Sequence, residues 1–510
     1  MSQRNLTGHR SLALRVVVVL TLLGLLTAGQ GIYPAPIQAE SAADPEQLYI
    51  PLVDSATNSG RIYLPLIANV RPACSSRVAP SLFGLQMYND TSPASPYYTH
   101  MKNSGAAWVR APIAWGRVEP TNTTPANYNW STADRVIGAM REGCMNMIIT
   151  HVGAPGWAAT ASEGPIDKTP LSEFGQYIKA LVERYDGDGF NDAPGSPKIE
   201  YFEFYNEPDE GAVPGGGRWG DDGDKYAAML REARRALKEA NPNAKVVFGG
   251  IAYDWFEDDP VEPGPFRKEF LDDVLAAGGG AHFDIMAYHF YPLFGNRWTG
   301  ANGVAGDKLG LRSKTKAIRD KLAAAGYPNK PIFITEMGWH SDDQQPTPWG
   351  SPEYQARFVV ELFAESLAAN VPMSIWFSLH DLGDYPFENG LVTEAATPAV
   401  KPAYGVYQVA VAQLSPLRYI RTWSKSETGS GDLIVHEFRD DQASRDVYVA
   451  WSHPIDTQTS HPFRVQTRQA TLYDMFGTAT VLKDGEDGRN DGYVTIQVGG
   501  RPVYVHVDGR

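Results

Sequence analysis

Cysteine is scarce in this chain of 510 residues, which has only Cys74 and Cys144. Two cysteines cannot build the disulfide framework of a small secreted domain, and no Cys/His cluster has zinc spacing, so a metal centre is not indicated. Positive charge is short as well. Forty-five Lys and Arg against fifty-nine Asp and Glu give a formal charge of −14 and a pI near 5.3. That balance argues against a nucleic-acid partner, whose phosphates require a basic face. Long apolar runs are missing beyond the N-terminus, so no later stretch could span a bilayer. A hydrophobic content of 43% with 11% aromatics excludes a disordered chain, and the length allows a large core and more than one domain.

The N-terminus reads as an export signal over residues 1–39. Arg4, Arg10 and Arg15 precede the apolar run Val16 to Ala28, and small residues lead up to Ala39. The run is shorter than the roughly 20 apolar residues of a membrane span; a retained anchor is the alternative. Cleavage after Ala39 removes three Arg and no acid, taking the charge from −14 to −17 and leaving a secreted chain without a membrane segment. Residues 40–75 form a Pro- and Ser-containing linker, in which "LYIPLV" (48–53) is echoed by "IYLPLI" (62–67).

From 76 to 414 short β-rich runs alternate with amphipathic stretches, the mark of a parallel sheet with crossover helices. The strands are predicted at "LFGLQM" (82–87), "AWVRAPI" (107–113), "MNMIITHV" (145–152) and "IEYFEFY" (199–205). They continue at "AKVVFGGI" (244–251), "FDIMAYHF" (283–290), "PIFITEM" (331–337) and "VPMSIWFS" (371–378). Eight strands interleaved with helices such as "SPEYQARFVVELFAESLAAN" fit the α/β class as a (β/α)8 TIM barrel. An open doubly wound sheet is the alternative, but it wants a Gly-rich phosphate turn after the first strand, and "FGLQMYNDTSPAS" has none. From 415 to 510 the helical period disappears. Runs such as "DLIVHEF", "RDVYVAW", "ATLYDMF", "YVTIQV" and "PVYVHV" predict a small antiparallel β-sandwich domain.

In a barrel of this kind chemistry sits at the C-terminal ends of the strands. Strand two carries Arg110, strand three ends at His151, and strand four, "IEYFEFYNEPDE", delivers Asn206 and Glu207. Strand six ends in His289 and Tyr291, strand seven in Glu336, and strand eight carries Trp376. Carboxylates from strands four and seven face each other across a closed mouth. A glycosidic bond needs that arrangement, one acid protonating the leaving oxygen and one attacking the anomeric carbon. The neighbours predict Glu207 in its protonated form and Glu336 ionised beside Arg110 and Tyr291. Pro208 predicts an extended or turn conformation for Glu207. Neither a cofactor nor a metal is expected.

The motifs "YNEP" (205–208) and "ITEMGW" (334–339) resemble those of the clan A glycoside hydrolases. Arg110 in "VRAP", His151, "HFY" at 289–291 and Trp376 are similar to the family 5 constellation, and the C-terminal sandwich is similar to the layout of family 39. The likeness covers about residues 80–510. It implies a secreted retaining β-glycosidase acting on a poly- or oligosaccharide, with Glu207 as acid/base and Glu336 as nucleophile. It further implies that Asn206 binds the sugar 2-hydroxyl, that Tyr291 orients Glu336 and that Trp376 floors the sugar site. Arg110, His151 and His289 complete the substrate-binding set. A non-catalytic carbohydrate-binding barrel is the rival, and it has no need of both Glu. A metal-dependent barrel hydrolase usually wants an HxH pair on strand one, where "LFGLQM" has no His.

Trp115, Trp157, Trp219, Trp298, Trp339 and Trp349 follow barrel strands and are candidates for sugar stacking or for plain packing. "DGDGFND" (186–192) lacks EF-hand spacing and reads as a solvated turn rather than a calcium loop. Cys74 and Cys144 both precede barrel strands and are expected to pair. The sequence does not set an oligomeric state.

Overall fold

A run such as "NMIITHV" is apolar on both faces, and only a strand with helices outside and packed side chains inside buries both. The computed structural model describes residues 81–88, 92–211, 217–254, 264–292, 304–342, 350–383 and 385–509. The export segment, the 40–75 linker, Cys74, Trp298 and Trp349 lie outside the described residues.

Eight strands form one parallel sheet: β1 (Phe83–Gln86), β2 (Trp108–Ala114), β3 (Asn146–Val152), β4 (Tyr201–Phe204), β5 (Lys245–Phe248), β6 (Met286–Phe290), β7 (Ile332–Met337) and β8 (Ser374–Trp376). Their order is β5-β4-β3-β2-β1-β8-β7-β6. Parallel bridges Val247–Ile285 and Ile251–Tyr288 draw the two outer strands together, so the sheet curls into a nearly closed barrel. Helices follow every strand, among them Leu171–Arg184, Gly223–Ala240, Leu311–Ala324, Pro352–Ala368 and Pro402–Leu414. Ser351 starts one of them as the sequence leads one to expect: its side chain accepts from the Tyr354 amide, with Pro352 in the first turn.

Trp108, Ile148, Val247, Ala287, Phe333 and Ile375, with Tyr201 against them, form a cluster of their own inside the barrel. Because side chains alternate along a strand, this layer sets the phase for everything above it. Two residues further on each strand come Arg110, Thr150, Glu203, His289 and Phe377, all directed to the mouth. Strand β7 breaks the phase. Its register against β6 shifts so that Tyr288 pairs with Ile334 but His289 pairs with Glu336. Thr335 is the extra residue of this bulge, and the shift turns Glu336 inward where a regular strand would send it outward.

The C-terminal region has two antiparallel sheets. One holds β9 (Leu417–Thr422), β10 (Leu433–Asp440), β11 (Arg445–Ser452), β13 (Gln469–Asp474), β14 (Ala479–Lys483) and β16 (Val503–Asp508); the other pairs β12 (His461–Gln466) with β15 (Tyr493–Val498). Val435, Tyr448, Phe463, Val465, Ile496 and Val505 pack between them. Strands β9, β12 and β14 were not among the predicted ones. They carry Arg418 and Arg421, Pro462, and a mostly exposed run respectively, and so lack a clean apolar alternation. Cys144 is disulfide-bonded, and Cys74 is the only other cysteine in the sequence.

Candidate active site

Arg110 is the hub of the barrel mouth. It is 2% exposed, yet each of its nitrogens has a polar partner. Nε donates to Glu203 Oε2 at 2.6 Å, Nη1 to Gln86 Oε1 at 3.0 Å and to Glu336 Oε1 at 2.6 Å, and Nη2 to Asn206 Oδ1 at 2.8 Å. Burial alone would lower its pKa, but Glu203 and Glu336 outweigh that and secure the cation. Thr150 donates to the same Glu203 oxygen at 2.6 Å. One guanidinium therefore fixes residues from β1, β4 and β7 in a single plane of hydrogen bonds.

Glu336 accepts on both oxygens, from Arg110 on Oε1 and from the Tyr291 hydroxyl on Oε2 at 3.0 Å. Burial and the nearby carboxylates push the Tyr291 pKa well up, so its hydroxyl keeps its proton and stays a donor. Across the mouth, Glu207 Oε1 lies 3.0 Å from His289 Nδ1, which is also 3.6 Å from Glu336 Oε2. His289 is held from behind by the buried Lys314, whose Nζ donates to its carbonyl at 2.8 Å. An oxygen of Glu207, an oxygen of Glu336 and a ring nitrogen of His289 all lie within 4.8 Å of one another.

The chain after β4 makes two left-handed residues, Tyr205 with φ 65° and Glu207 with φ 46°. Glu207 is thus a left-handed turn residue rather than an extended one. The turn is pinned by Asp209, whose carboxylate accepts from the Ala252 and Tyr253 amides and whose pKa burial pushes up to about 6. Contrary to the expectation that Glu207 favours its protonated form, its carboxyl sits below the ordinary value. Burial raises it, but the hydrogen bond and charge of His289, then Arg218 and Arg110, together outweigh burial.

Two of the substrate-binding expectations are not met by the geometry. His151 is 1% exposed and stands outside the barrel wall, its ring against Phe174, Tyr177 and Tyr205, with neither nitrogen hydrogen-bonded. Desolvation pushes its pKa down to about 3. Trp376 is fully buried with Nε1 donating to the Asn389 carbonyl, and its neighbour Phe377 reaches the cavity instead. The cause is strand phase: Ile148 and Ile375 point inward, so His151 and Trp376 point out. Arg110, Asn206, Glu207, Tyr291 and Glu336 do line one cavity of about 470 Å³, and His289 abuts it through Glu207. Trp115, Trp219 and Trp339 are core residues, and Trp157 packs edge-on against Trp115.

The cavity also holds residues the sequence reading missed: Tyr88, Glu163, Arg218, Phe377 and Tyr385. Tyr88 was legible from phase, being two residues beyond Gln86 on β1. Phe377 was legible in the same way, two residues beyond Ile375, whereas Glu163, Arg218 and Tyr385 lie in segments whose path no periodicity records. Of the described residues, two sets could in principle hold a metal ion. In Glu207–His289–Glu336 the cationic Arg110 already occupies Glu336, and the three carboxylates of Asp186, Asp188 and Asp192 accept from backbone amides of their own loop.

A parallel eight-stranded barrel with two acids from β4 and β7 across its mouth defines a glycoside hydrolase of the clan A type. The family description "Cellulase (glycosyl hydrolase family 5)" matches residues 72–379, and the chain belongs to that family. Among solved structures it is similar to a family 39 glycoside hydrolase from the gut symbiont Bacteroides cellulosilyticus WH2, at 18% identity and TM-score 0.61 over 84% of this chain and 81% of that one. A GH30 endoxylanase from Clostridium papyrosolvens C71 follows the same fold at 13% identity and TM-score 0.54, covering 86% and 98% of the two chains. So does a GH51 α-L-arabinofuranosidase from Thermotoga petrophila RKU-1, at 12% identity and TM-score 0.56, covering 85% and 98%. No curated protein matched the sequence.

Proposed function

We propose that this glycoside hydrolase is a retaining β-glycosidase that cleaves a poly- or oligosaccharide by double displacement, with Glu336 as nucleophile and Glu207 as acid/base. The observation that carries the reading is the approach of the Glu207 and Glu336 oxygens to within 4.8 Å. Retaining enzymes keep their carboxyls about 5–5.5 Å apart, whereas inverting ones leave roughly 6.5–9.5 Å for a water. Glu336 attacks the anomeric carbon as the bond to the leaving oxygen breaks, and Glu207 gives that oxygen its proton. Water then attacks the glycosyl ester, Glu207 takes up the water's proton, and Glu336 leaves as carboxylate. Arg110 and Tyr291 hold Glu336 oriented for attack. Asn206 spends Oδ1 on Arg110, which leaves its amide nitrogen to donate to a sugar hydroxyl.

Azide separates the two roles. Glu207→Ala should still be glycosylated by an aryl glycoside with a good leaving group, because little protonation is needed. The ester should then accumulate, and azide, which needs no general base, should release it as the β-glycosyl azide. Glu336→Ala is expected to be inactive on every substrate without azide. A β-azide from Glu336→Ala and an α-azide from Glu207→Ala would reverse the assignment. Full activity in both variants would overturn the assignment of these two acids, whereas a parent chain that releases no reducing sugar from a panel of polysaccharides would favour a binding barrel.

We also propose that the mature chain acts outside the cell. Support comes from the charged and apolar pattern of residues 1–39 and from the disulfide of Cys144, a bond that persists in oxidising compartments. N-terminal sequencing of protein recovered from culture medium tests it, with a start close after Ala39 expected.

A further inference from the structure

Arg218 reaches the acid/base from the chain that follows β4. Its Nη1 donates to the Asn206 carbonyl at 2.6 Å and lies 3.4 Å from Glu207 Oε2, while its Nε pairs with Glu210 Oε2 at 2.6 Å. This is not a floating surface pair. The residues after Arg218 are laced to the Glu207 turn, with the Trp219 amide donating to the Pro208 carbonyl at 3.1 Å and the Gly220 amide to the Glu210 carbonyl at 2.9 Å. Trp219 is buried against Tyr205 and Tyr226, so the backbone on the C-terminal side of Arg218 is fixed. A Cβ on Gly220 would collide with the Asp209 carbonyl, a sign of how closely the two segments lie.

We propose that Arg218 is a positioning residue that draws Glu207 toward its ionised form, and that Glu210 sets the strength of that pull by sharing the guanidinium. The inference rests on the reading of Glu207 as acid/base. Its value differs between the two half-reactions. Before sugar transfer, the Glu336 charge offsets part of that pull, so Glu207 gives up its proton less readily than it does afterwards. Once Glu336 is an ester its charge is gone, the pull of Arg218 meets less opposition, and Glu207 is ionised when water needs a base.

Other groups face Glu207 as well. Arg110 from β2 and His289 from β6 favour its charge, while Glu336 from β7, Asp209 in its own turn and Asp254 after β5 oppose it. Tyr88, Tyr291 and Tyr385 are neutral around it, Lys314 is neutralised by Asp254 at 2.8 Å, and Glu163 faces Arg218 from the segment after β3. Arg218 is the cation among these whose loss leaves the Arg110 hub and the His289 contact intact.

The test is the titration of the Glu207 carboxyl, followed by NMR in protein labelled with 13C at glutamate carboxyls and identified by the signal lost in Glu207→Gln. Arg218→Met should raise the midpoint by about one pH unit, the low end of what a neighbouring cation does. Glu210→Gln, which leaves Arg218 less neutralised, should lower it. The basic limb of kcat/KM should follow in the same two directions, on whichever of the 4-nitrophenyl β-glucoside, β-xyloside and β-cellobioside is hydrolysed fastest. Misfolding cannot produce shifts of opposite sign. An unmoved midpoint in folded Arg218→Met, or shifts of the same sign in both variants, overturns the inference. Opposite NMR shifts in a protein whose Glu207→Ala variant keeps full activity would instead overturn the acid/base reading on which it rests.

Discussion

His151 is a histidine kept neutral by its surroundings. Its ordinary value is 6.5, and burial among aromatic rings lowers it to about 3 in the folded chain. The unfolded chain therefore takes up a proton near 6.5 that the folded chain refuses. The stability tied to this residue is present above pH 6.5 and is lost as pH falls toward 3. His151→Phe should leave kcat/KM within about twofold of the parent. It should also flatten the fall in stability between pH 6 and pH 4, seen as a smaller drop in Tm over that range. A large loss of activity in that variant would return His151 to the sugar site. The residue was misread because its type and its place at a strand end resembled a family pattern, while the alternation of Ile148, Thr150 and Val152 already pointed it outward. Trp376 and Phe377 carry the same lesson on β8. Arg110, Tyr291, Glu207 and Glu336 were legible because each is a polar residue in the last positions of an otherwise apolar run. Arg218 was not, since only the folded path of a loop brings it back to its own strand end.

At the scale of elements, the segment after β5 meets the end of β6 behind the acid/base. Gly250 lies against the His289 imidazole and Thr335 Oγ1, so closely that a Cβ there would overlap both. Gly250→Ala should displace the ring and break its 3.0 Å contact with Glu207. We expect a loss of about 1–3 kcal/mol in stability, as for other overpacked sites. Activity should fall about 100-fold, the usual consequence of moving a catalytic group by an ångström. Urea denaturation and kcat/KM on one aryl glycoside measure both. If stability falls while activity holds, His289 is a packing residue only. All eight barrel strands were legible from composition, since buried parallel strands are continuous apolar runs. The sandwich strands with charge, proline or exposure along them were not, because an edge strand needs no apolar face.

For the whole molecule, the six-stranded sheet is joined to the barrel through a buried polar contact. Arg312, 6% exposed on the helix Leu311–Ala324, pairs at 2.5 Å with Glu365, which is fully buried on Pro352–Ala368. His436 of β10 lies 3.3 Å from the same carboxylate and 2.8 Å from the Thr422 hydroxyl of β9. Burial would raise the Glu365 pKa, but Arg312 and His436 hold it at about 2. Arg312→Met leaves that carboxylate buried without its main partner, and about 3–5 kcal/mol should be lost. Relative to an ordinary value of 4.5, the ion pair's contribution is present above that pH and disappears as pH falls toward 2. The gap in Tm between parent and variant should therefore be wide at pH 7 and narrow sharply in acid. A gap that does not change with pH would mean that the arginine's packing, rather than its charge, joins the two parts.

The extra residue at Thr335 bears on anyone who builds chimaeras from this scaffold. Relatives at 12–18% identity share the barrel, and exchanging their rim loops onto this one is the natural way to change what it cuts. A crossover placed downstream of Thr335 inherits the bulge and keeps Glu336 facing Arg110 and Tyr291. One placed upstream imports the donor's own spacing, and a donor strand shorter by that one residue would rotate the carboxylate toward the Pro352–Ala368 helix. Its sequence would still align without a visible fault at the glutamate itself. For this barrel the safe seam on β7 is set by a count of residues between two strands, and it lies inside the motif that a pattern search would treat as one unit.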